Sequence, residues 1–232
     1  MLRRLKYAGR VLVDMRGQFP RECPLCGYKG KFTAMGRPPR YDAKCQQCDS
    51  LERHRLLALA MGAGNLVNAE DRVLHFAPEP SVEALLKTSG GKYESADLLS
   101  DFGDLTLNIE KLKLADGSYD VVVASHILEH VNDHRALAEL YRILRPAGRL
   151  IVFVPIIESW ATSYENPTVE SRSERLLHFG QEDHVRYYGR DLRARICAAG
   201  FHLDEYTGTP EQCMRYGLIR GERAFICRKP TG

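Results

Sequence analysis

The sequence predicts an α/β chain: a mostly parallel sheet covered by helices and closed by an antiparallel strand, behind a small cysteine-built module. Three observations predict it. From residue 71 onward short apolar runs alternate with segments of helical periodicity. Two late apolar runs suit a closing antiparallel pair. Four of the seven cysteines stand as two close pairs within the first 50 residues. At 232 residues the chain accommodates one full-sized α/β domain and one accessory module. The expected boundaries are 1–49 for the N-terminal segment and module, 50–69 for a connecting helix, and 70–232 for the main domain, with an insertion at about 157–188.

The module comes first. Cys23-Pro-Leu-Cys26 and Cys45-Gln-Gln-Cys48 are separated by 18 residues. A CxxC pair lets two sulfurs reach one ion from a single tight turn, and two such turns complete the tetrahedron Zn²⁺ prefers. Gly27 follows the first pair, where a positive φ is often needed. Two disulfides or a redox pair are the competing readings; a reducing compartment disfavours the first, and duplication argues against the second. A zinc ribbon held by Cys23, Cys26, Cys45 and Cys48 is therefore expected, and four thiolates make its ion structural. Cys197, Cys213 and Cys227 lack such spacing and read as buried thiols. After the ribbon, Ser50-Leu-Glu-Arg-His-Arg-Leu-Leu starts a capped, apolar-striped helix that Gly62 and Gly64 end.

The net charge of +3 is unevenly spread: residues 1–60 hold 13 Lys/Arg against 5 Asp/Glu, and the remainder 20 against 25. A basic front end with Tyr28, Phe32 and Tyr41 beside its charges would suit an anionic partner such as RNA. The simpler account is that these charges offset bound thiolates while the aromatics pack a small module. No apolar run approaches the ~20 residues of a membrane span. The first twenty residues are basic without the apolar core of a signal peptide, so a cytoplasmic protein is expected.

In the main domain, Arg72–Phe76 reads as a buried strand, 81–87 as a helix, 93–97 as a second strand and 104–107 as a short third. Residues 119–124 are the most apolar strand yet. Residues 132–145 form an amphipathic helix with Ala136, Leu137, Leu140, Ile143 and Leu144 inward; Pro146-Ala-Gly148 stops it, and 149–154 is a fifth strand. A helix at about 189–199 precedes the late runs 201–207 and 223–227. In open sheets of this type ligands lie beyond the carboxyl ends of the strands, which selects the loops after residues 76, 97, 107, 124 and 155. The insertion 157–188 is too long for a simple connection and is expected to cover the site.

Asp116-Gly-Ser-Tyr-Asp120, the following Ser125-His-Ile-Leu-Glu-His130, and Leu144-Arg-Pro-Ala-Gly148 occur in the order of the D-x-S-F-D strand, L-E-H turn and L-K-P-G-G turn of class I methyltransferases of the type 11 group, which the chain resembles over roughly residues 70–228. It is similar more narrowly to a bacterial group that joins an N-terminal CxxC…CxxC module and S-L-E-R-H-R-L-L to H-F-A-P-E-P and F-G-Q-x-D-H-V-R. The resemblance implies a Rossmann-like methyltransferase sheet and S-adenosylmethionine as cofactor. It departs at the first loop, where the family carries glycines after an acidic residue. Here His75-Phe-Ala-Pro-Glu-Pro80 stands instead, with Ala77 and Glu79 at glycine positions. Ala77 adds one methyl group. Glu79 adds a carboxylate that would take over the cofactor's ammonium, replacing the acid lost at His75.

The resemblance assigns the cofactor site to His75, Phe76, Ala77, Glu79, Asp97, Asn108, Ile109, Ser125 and His126. Asp97, ending the second strand, would accept from the ribose hydroxyls. Asn108 stands where the family usually places an Asp that accepts from the adenine amine; a residue there is also often a helix cap. Trp160, Tyr164, Glu165, Arg186 and Tyr188 of the insertion are substrate-facing candidates. His184, between Asp183 and Arg186, is the preferred general base, with His126 as the other. His126-Ile-Leu-Glu-His130 also matches an H-x-x-E-H metalloprotease pattern, but that motif belongs in a long helix and here directly follows a buried strand; His126 and Glu129 are expected to edge the cofactor pocket while His130 packs structurally. The expected activity is methyl transfer to a small polar acceptor, at O or N. The alternatives are an RNA methyltransferase gripping nucleic acid with the basic ribbon, against which no Asn/Asp-Pro-Pro-Tyr-type tetrapeptide follows the fourth strand, and a non-catalytic cofactor-binding module.

Overall fold

The computed structural model describes residues 2–231, and side chains from residue 7 onward. The chain divides into two units: Met1–Leu66 with Glu79–Leu85 and Tyr206–Ala224, and Val67–Pro78 with Leu86–Glu205 and Phe225–Gly232.

The first unit opens with α1 (Leu2–Asp14), which Gly17 closes at φ +93°. A Cβ there would lie 2.3 Å from the Phe32 carbonyl oxygen, so only glycine permits the approach. Two short antiparallel hairpins follow, β1 (Pro20–Glu22) with β2 (Lys29–Lys31) and β3 (Thr33–Met35) with β4 (Arg40–Lys44). Cys23, Phe32 and Cys45 form their buried centre. Next comes α2 (Glu52–Gly64), shorter than the segment expected at 50–69 and capped by Asn65 in the left-handed region. Arg55 on α2 is fully buried. Its guanidinium donates to the carbonyls of Ala43, Ser50, Tyr216 and Gly217 at 2.6–2.9 Å and lies 4.6 Å over the Phe32 ring. Five N–H donors in a fixed fork let one arginine satisfy carbonyls from several segments.

In the second unit, β5 (Arg72–Phe76) leads into α3 (Pro80–Ser89), whose first turns belong to the first unit. There Glu79 is gripped by Arg53, while His54 Nε2 lies 2.8 Å from its carboxylate, off the line of a good hydrogen bond. Then come β6 (Lys92–Asp97), β7 (Leu105–Thr106), β8 (Tyr119–Ser125), a 3₁₀ turn at 128–130, α4 (Asp133–Ile143) and β9 (Leu144–Phe153). The insertion holds β10 (Tyr164–Glu165), α5 (Arg172–Phe179) and β11 (Arg186–Tyr187), with β10 and β11 paired. Finally α6 (Leu192–Ala198), β12 (His202–Thr207), α7 (Pro210–Tyr216) and β13 (Arg223–Arg228) end the chain.

Seven strands form one sheet in the order β12-β13-β9-β8-β5-β6-β7. The neighbours from β9 through β7 are parallel, and β13 is antiparallel to β9, as expected. Val121, Val122, Val123 and Ala124 are all fully buried, the signature of a central parallel strand covered on both faces. On α4, Ala136, Leu137, Leu140 and Ile143 are fully buried. Asn132 caps that helix by accepting the Arg135 N–H at 3.1 Å.

Two expectations are corrected here. The helix ends at Ile143, and Leu144 already pairs with Tyr119. Pairing resumes at Arg149 opposite Val121, so Pro146-Ala-Gly148 is a bulge inside β9 rather than a stop before it. Helix α7 was not expected. Its signal is Thr209-Pro-Glu-Gln212, a capping box with proline in the first turn.

A largely buried ionic cluster ties the insertion to α4 and α6. Asp133 accepts from Tyr188 Oη and Arg195 Nη1, both at 3.0 Å, and lies 3.7 Å from Arg186. Arg186 and Arg195 also share Glu165. Removing the acid leaves Arg186 and Arg195 to their other partners but takes a buried charged acceptor from Tyr188 and Arg195, so Asp133→Ala is expected to lower unfolding free energy by about 1.5–3 kcal/mol in urea titration. A loss within experimental scatter would show the cluster to be solvated. Glu79 gives a second test. Burial pushes its carboxyl up, but the His54 contact and the charge of Arg53 outweigh that and hold it at about 2. Burial also pushes His54 below its ordinary value, so at neutral pH Arg53 supplies the charge. A depressed carboxyl stabilises the fold above the unfolded value of 4.5 and loses that as pH falls toward 2. The stability gap between wild type and Glu79→Gln, about 1–2 kcal/mol for this partly solvated pair, is expected to close over that window; a gap independent of pH would exclude the ion pair as its source.

Candidate functional site

Because β5, β6, β7 and β8 are parallel, their carboxyl ends lie along one edge of the sheet, and a cleft of about 500 Å³ opens there. Every residue lining it belongs to the second unit. Phe76 and Ala77 follow β5; Asp97, Leu98 and Leu99 follow β6; Leu107, Asn108 and Ile109 follow β7; His126, Ile127, His130 and Val131 follow β8. Asp183 of the insertion completes the wall.

Two non-glycine residues shape this rim with left-handed backbone. Ala77 has φ +49° and His126 φ +55°. At Ala77 the conformation is held by its N–H donating to the Ala96 carbonyl at 2.9 Å; at His126, by its N–H donating to Phe153 at 2.8 Å. Such conformations are unfavourable for residues with a Cβ and persist only where their surroundings impose them.

Asp97 stands at the cleft with Oδ1 accepting the Leu99 N–H at 2.9 Å, which leaves Oδ2 for a ligand. Asn108 also lines the cleft, while its amide oxygen accepts the Glu110 N–H at 2.9 Å, closing a local turn. Phe76, Ala77, Ile109 and His126 are on the wall as well. His75, Glu79 and Ser125 are not among the lining residues. His75 is fully buried in β5 with Nδ1 3.0 Å from Tyr93 Oη, and Ser125 is buried in β8. Glu79 is engaged by Arg53 and His54.

The insertion candidates gather elsewhere. Arg186 and Tyr188 donate to the Leu128 carbonyl, and Arg186 also to that of Val131. They thereby clamp the turn after β8, with Glu165 bound to Arg186. Trp160 packs edge-on against Tyr164 and Tyr187, and Tyr164 bonds His178. None of these five lines the cleft. His184 is 2% exposed and also behind the wall; burial pushes its ring below the ordinary histidine range, so it is neutral at pH 7. His126 is on the wall, its Nδ1 3.1 Å from Glu129 Oε1. Glu129 is fully buried beneath, and His130, expected to pack structurally, is on the wall. Position after a strand end is the signal for Leu98, Leu99 and Ile127; nothing local announces Asp183.

In the first unit the four cysteines offer sulfurs that all lie within 4.8 Å of one another. Cys23 and Cys48 Sγ are 3.6 Å apart, and Cys26 and Cys45 3.7 Å. A tetrahedral ion with bonds of about 2.3 Å sets neighbouring sulfurs about 3.8 Å apart, so the set fits zinc. Each pair is a knuckle closed by a left-handed residue, Gly27 at φ +76° and Asp49 at φ +57°. Burial pushes the Cys23 thiol up, but Ser50 and the N–H groups of Cys26 and Leu25 bring it down to about 7. Burial pushes the Arg55 guanidinium below its ordinary value, while Glu52 and, after it, Cys23, Cys45 and Cys48 pull it back up.

Comparison with known proteins agrees with this geometry. Residues 59–152 match the family model described as a Methyltransferase domain of the type 11 group. The chain is 30% identical over 128 residues to the ubiquinone/menaquinone biosynthesis C-methyltransferase UbiE of Pectobacterium carotovorum, a match covering 51% of each chain. It thus spans about half the length of the curated relatives it matches. Among solved structures it is similar in fold to the YcgJ protein of Bacillus subtilis, at TM-score 0.54 and 15% identity, over 77% of this chain and 100% of that one. It is likewise similar to an S-adenosylmethionine-dependent methyltransferase of Mesorhizobium loti, at TM-score 0.52 and 16% identity, over 75% and 98%. Residues 59–152 therefore match a methyltransferase domain, and the strand order and the solved neighbours agree on the fold.

Proposed function

We propose that the chain transfers a methyl group from S-adenosylmethionine to a small polar acceptor, at oxygen or nitrogen, within this cleft. The observation that carries the reading is Asp97, a carboxylate at the end of β6 with one oxygen uncommitted, set beside the apolar Leu98, Leu99 and Ile109. A ribose hydroxyl pair suits the carboxylate, and an adenine ring suits the apolar slot. The cofactor supplies a methyl carbon already activated by a sulfonium. The chain's own part is alignment and exclusion of water. His126, held by Glu129 on the wall, would receive the proton of a hydroxyl or amine acceptor. His184, buried behind the wall, would act through the residues in front of it. The names of the curated relatives favour a carbon acceptor as a second reading.

Titration calorimetry with S-adenosylmethionine tests the cofactor. Saturable binding is expected, and Asp97→Ala is expected to weaken it by roughly 1.5–3 kcal/mol, the scale for losing a charge-assisted acceptor. Unchanged affinity would remove Asp97 from the site. Incubation of metabolite extracts with methyl-labelled cofactor then identifies the acceptor atom. Binding without any labelled product would instead favour a non-catalytic module.

The ribbon's role is structural in this proposal, because four thiolates close the coordination sphere of zinc and leave no open position. The fit of the four sulfurs and the buried Arg55 cation support it. Cys45→Ser is expected to lose about one zinc per chain by metal analysis and to destabilise the hairpins, whose buried centre is Cys23, Phe32 and Cys45. A zinc content identical to wild type would rule out this ligand set.

A further inference from the structure

A second cluster with ligating chemistry lies beside the cleft. Glu129, His130 and His184 each offer a ligand atom, and the three atoms lie within 4.8 Å of one another. They come from two separate segments, the turn after β8 and the stretch of insertion just before β11. Only folding brings them together.

Glu129 and His130 are each held by a neighbour at one atom, which leaves the other for a ligand. Glu129 Oε1 is taken by His126 Nδ1 at 3.1 Å, and Oε2 is buried with no hydrogen-bond partner. His130 Nδ1 lies 3.3 Å from Asp183 Oδ2, which leaves Nε2 for another partner. That is the carboxylate–histidine arrangement by which metal-ligating imidazoles are commonly held. His184 is 98% buried; its ring reaches the Phe179 backbone in a loose hydrogen bond, and neither ring nitrogen makes one of good geometry. The His130 and His184 rings meet edge to face, 4.6 Å between centroids at 89°. A buried carboxylate oxygen without a partner and a buried imidazole with no well-formed hydrogen bond, on side chains whose ligand atoms gather within 4.8 Å, are what folded chains avoid unless something binds there.

We propose that Glu129, His130 and His184 bind one divalent transition-metal ion, apart from the ribbon and next to the cleft wall. Two imidazoles and one carboxylate suit Zn²⁺, Fe²⁺, Mn²⁺, Co²⁺ or Ni²⁺, whereas Ca²⁺ and Mg²⁺ prefer all-oxygen sets. Three protein ligands leave positions open, and His130 is itself on the cleft wall, so an open position is available to an oxygen or nitrogen of a bound molecule. The ion would also tie the insertion to the end of β8 through His184. The H-x-x-E-H pattern at 126–130 thus has a different use from the protease motif it matches. His126 orients the glutamate, and the third ligand comes from 54 residues further on. The proposal stands on this geometry alone and does not depend on methyl transfer.

The test uses the untagged full chain, stripped with chelator and titrated with Co²⁺, with bound metal counted and the thiolate-to-cobalt charge-transfer band followed. Wild type is expected to take up two ions per chain, only one of which develops that band. Glu129→Gln, nearly isosteric, and His184→Ala are each expected to keep the band and to weaken the second uptake by at least about tenfold. Uptake of the thiolate-bound ion alone by wild type would overturn the proposal, as would a second uptake unchanged in Glu129→Gln. The wild-type count and the glutamine variant decide the matter even if His184→Ala does not fold. Because the readout is metal and not cofactor, failure to bind S-adenosylmethionine leaves the result interpretable.

Discussion

The candidate site depends on how the chain leaves β8. Ser125 is still in the sheet, and His126 turns the backbone into the left-handed region at φ +55°. The next residues coil into a single 3₁₀ turn, too short to be held by its own hydrogen bonds. Arg186 and Tyr188 supply the missing support by donating to the Leu128 and Val131 carbonyls, and Asp133 in turn fixes Tyr188 and Arg195. The insertion thus serves the site from behind. Its charged residues satisfy carbonyls that a short turn leaves orphaned, and so they set where His126, Glu129 and His130 point.

Polar construction of this kind has a physical cost and a physical result. Each buried guanidinium or carboxylate has lost its water, and its partners roughly restore that loss without a large net gain. What the network confers is a single geometry, since a half-satisfied arrangement would be far worse than the complete one. The ribbon follows the same logic in the first unit. Arg55 joins carbonyls of four residues from three stretches of chain beside Cys23, Cys45 and Cys48. In both units a buried arginine ties together carbonyls from separate segments of the chain.

This explains which parts of the molecule were legible from the sequence. The strands from β5 to β9 and the amphipathic α4 follow from hydropathy period, and the gathering of four cysteines from their spacing. Asp97 was legible because it ends a strand, a local property. Arg186, Tyr188 and Glu165 read as exposed functional groups, because polar residues in a long insertion usually face water or ligand. Arg186 and Tyr188 are instead buried by contacts with Leu128, Val131 and Asp133, more than thirty residues away in sequence, while Glu165 stays exposed and bonds Arg186. The bulge in β9 was hidden for a related reason. Pro146-Ala-Gly148 is a breaker in any local pattern, and only the register against β8 shows that the strand resumes beyond it.

The departure at the first loop then acquires a structural meaning. A glycine-rich loop keeps backbone close to a ligand because glycine enters the left-handed region without penalty. Ala77 enters it at φ +49° carrying a methyl group, at a cost of about 1–2 kcal/mol. His126 pays a similar penalty at the end of β8, which pairs directly with β5. Two strained residues at the ends of adjacent strands, both lining one cleft, are unlike the scatter that chance would give. The left-handed backbone that a glycine loop provides is thus present here with alanine in its place. The hydrogen bond from Ala77 to Ala96 on β6 shows how: the neighbouring parallel strand holds the turn that the alanine alone would not adopt. Retention of backbone shape against a local penalty favours a cleft still used for binding, and it sets the pocket's form by the sheet and not by the loop's own flexibility.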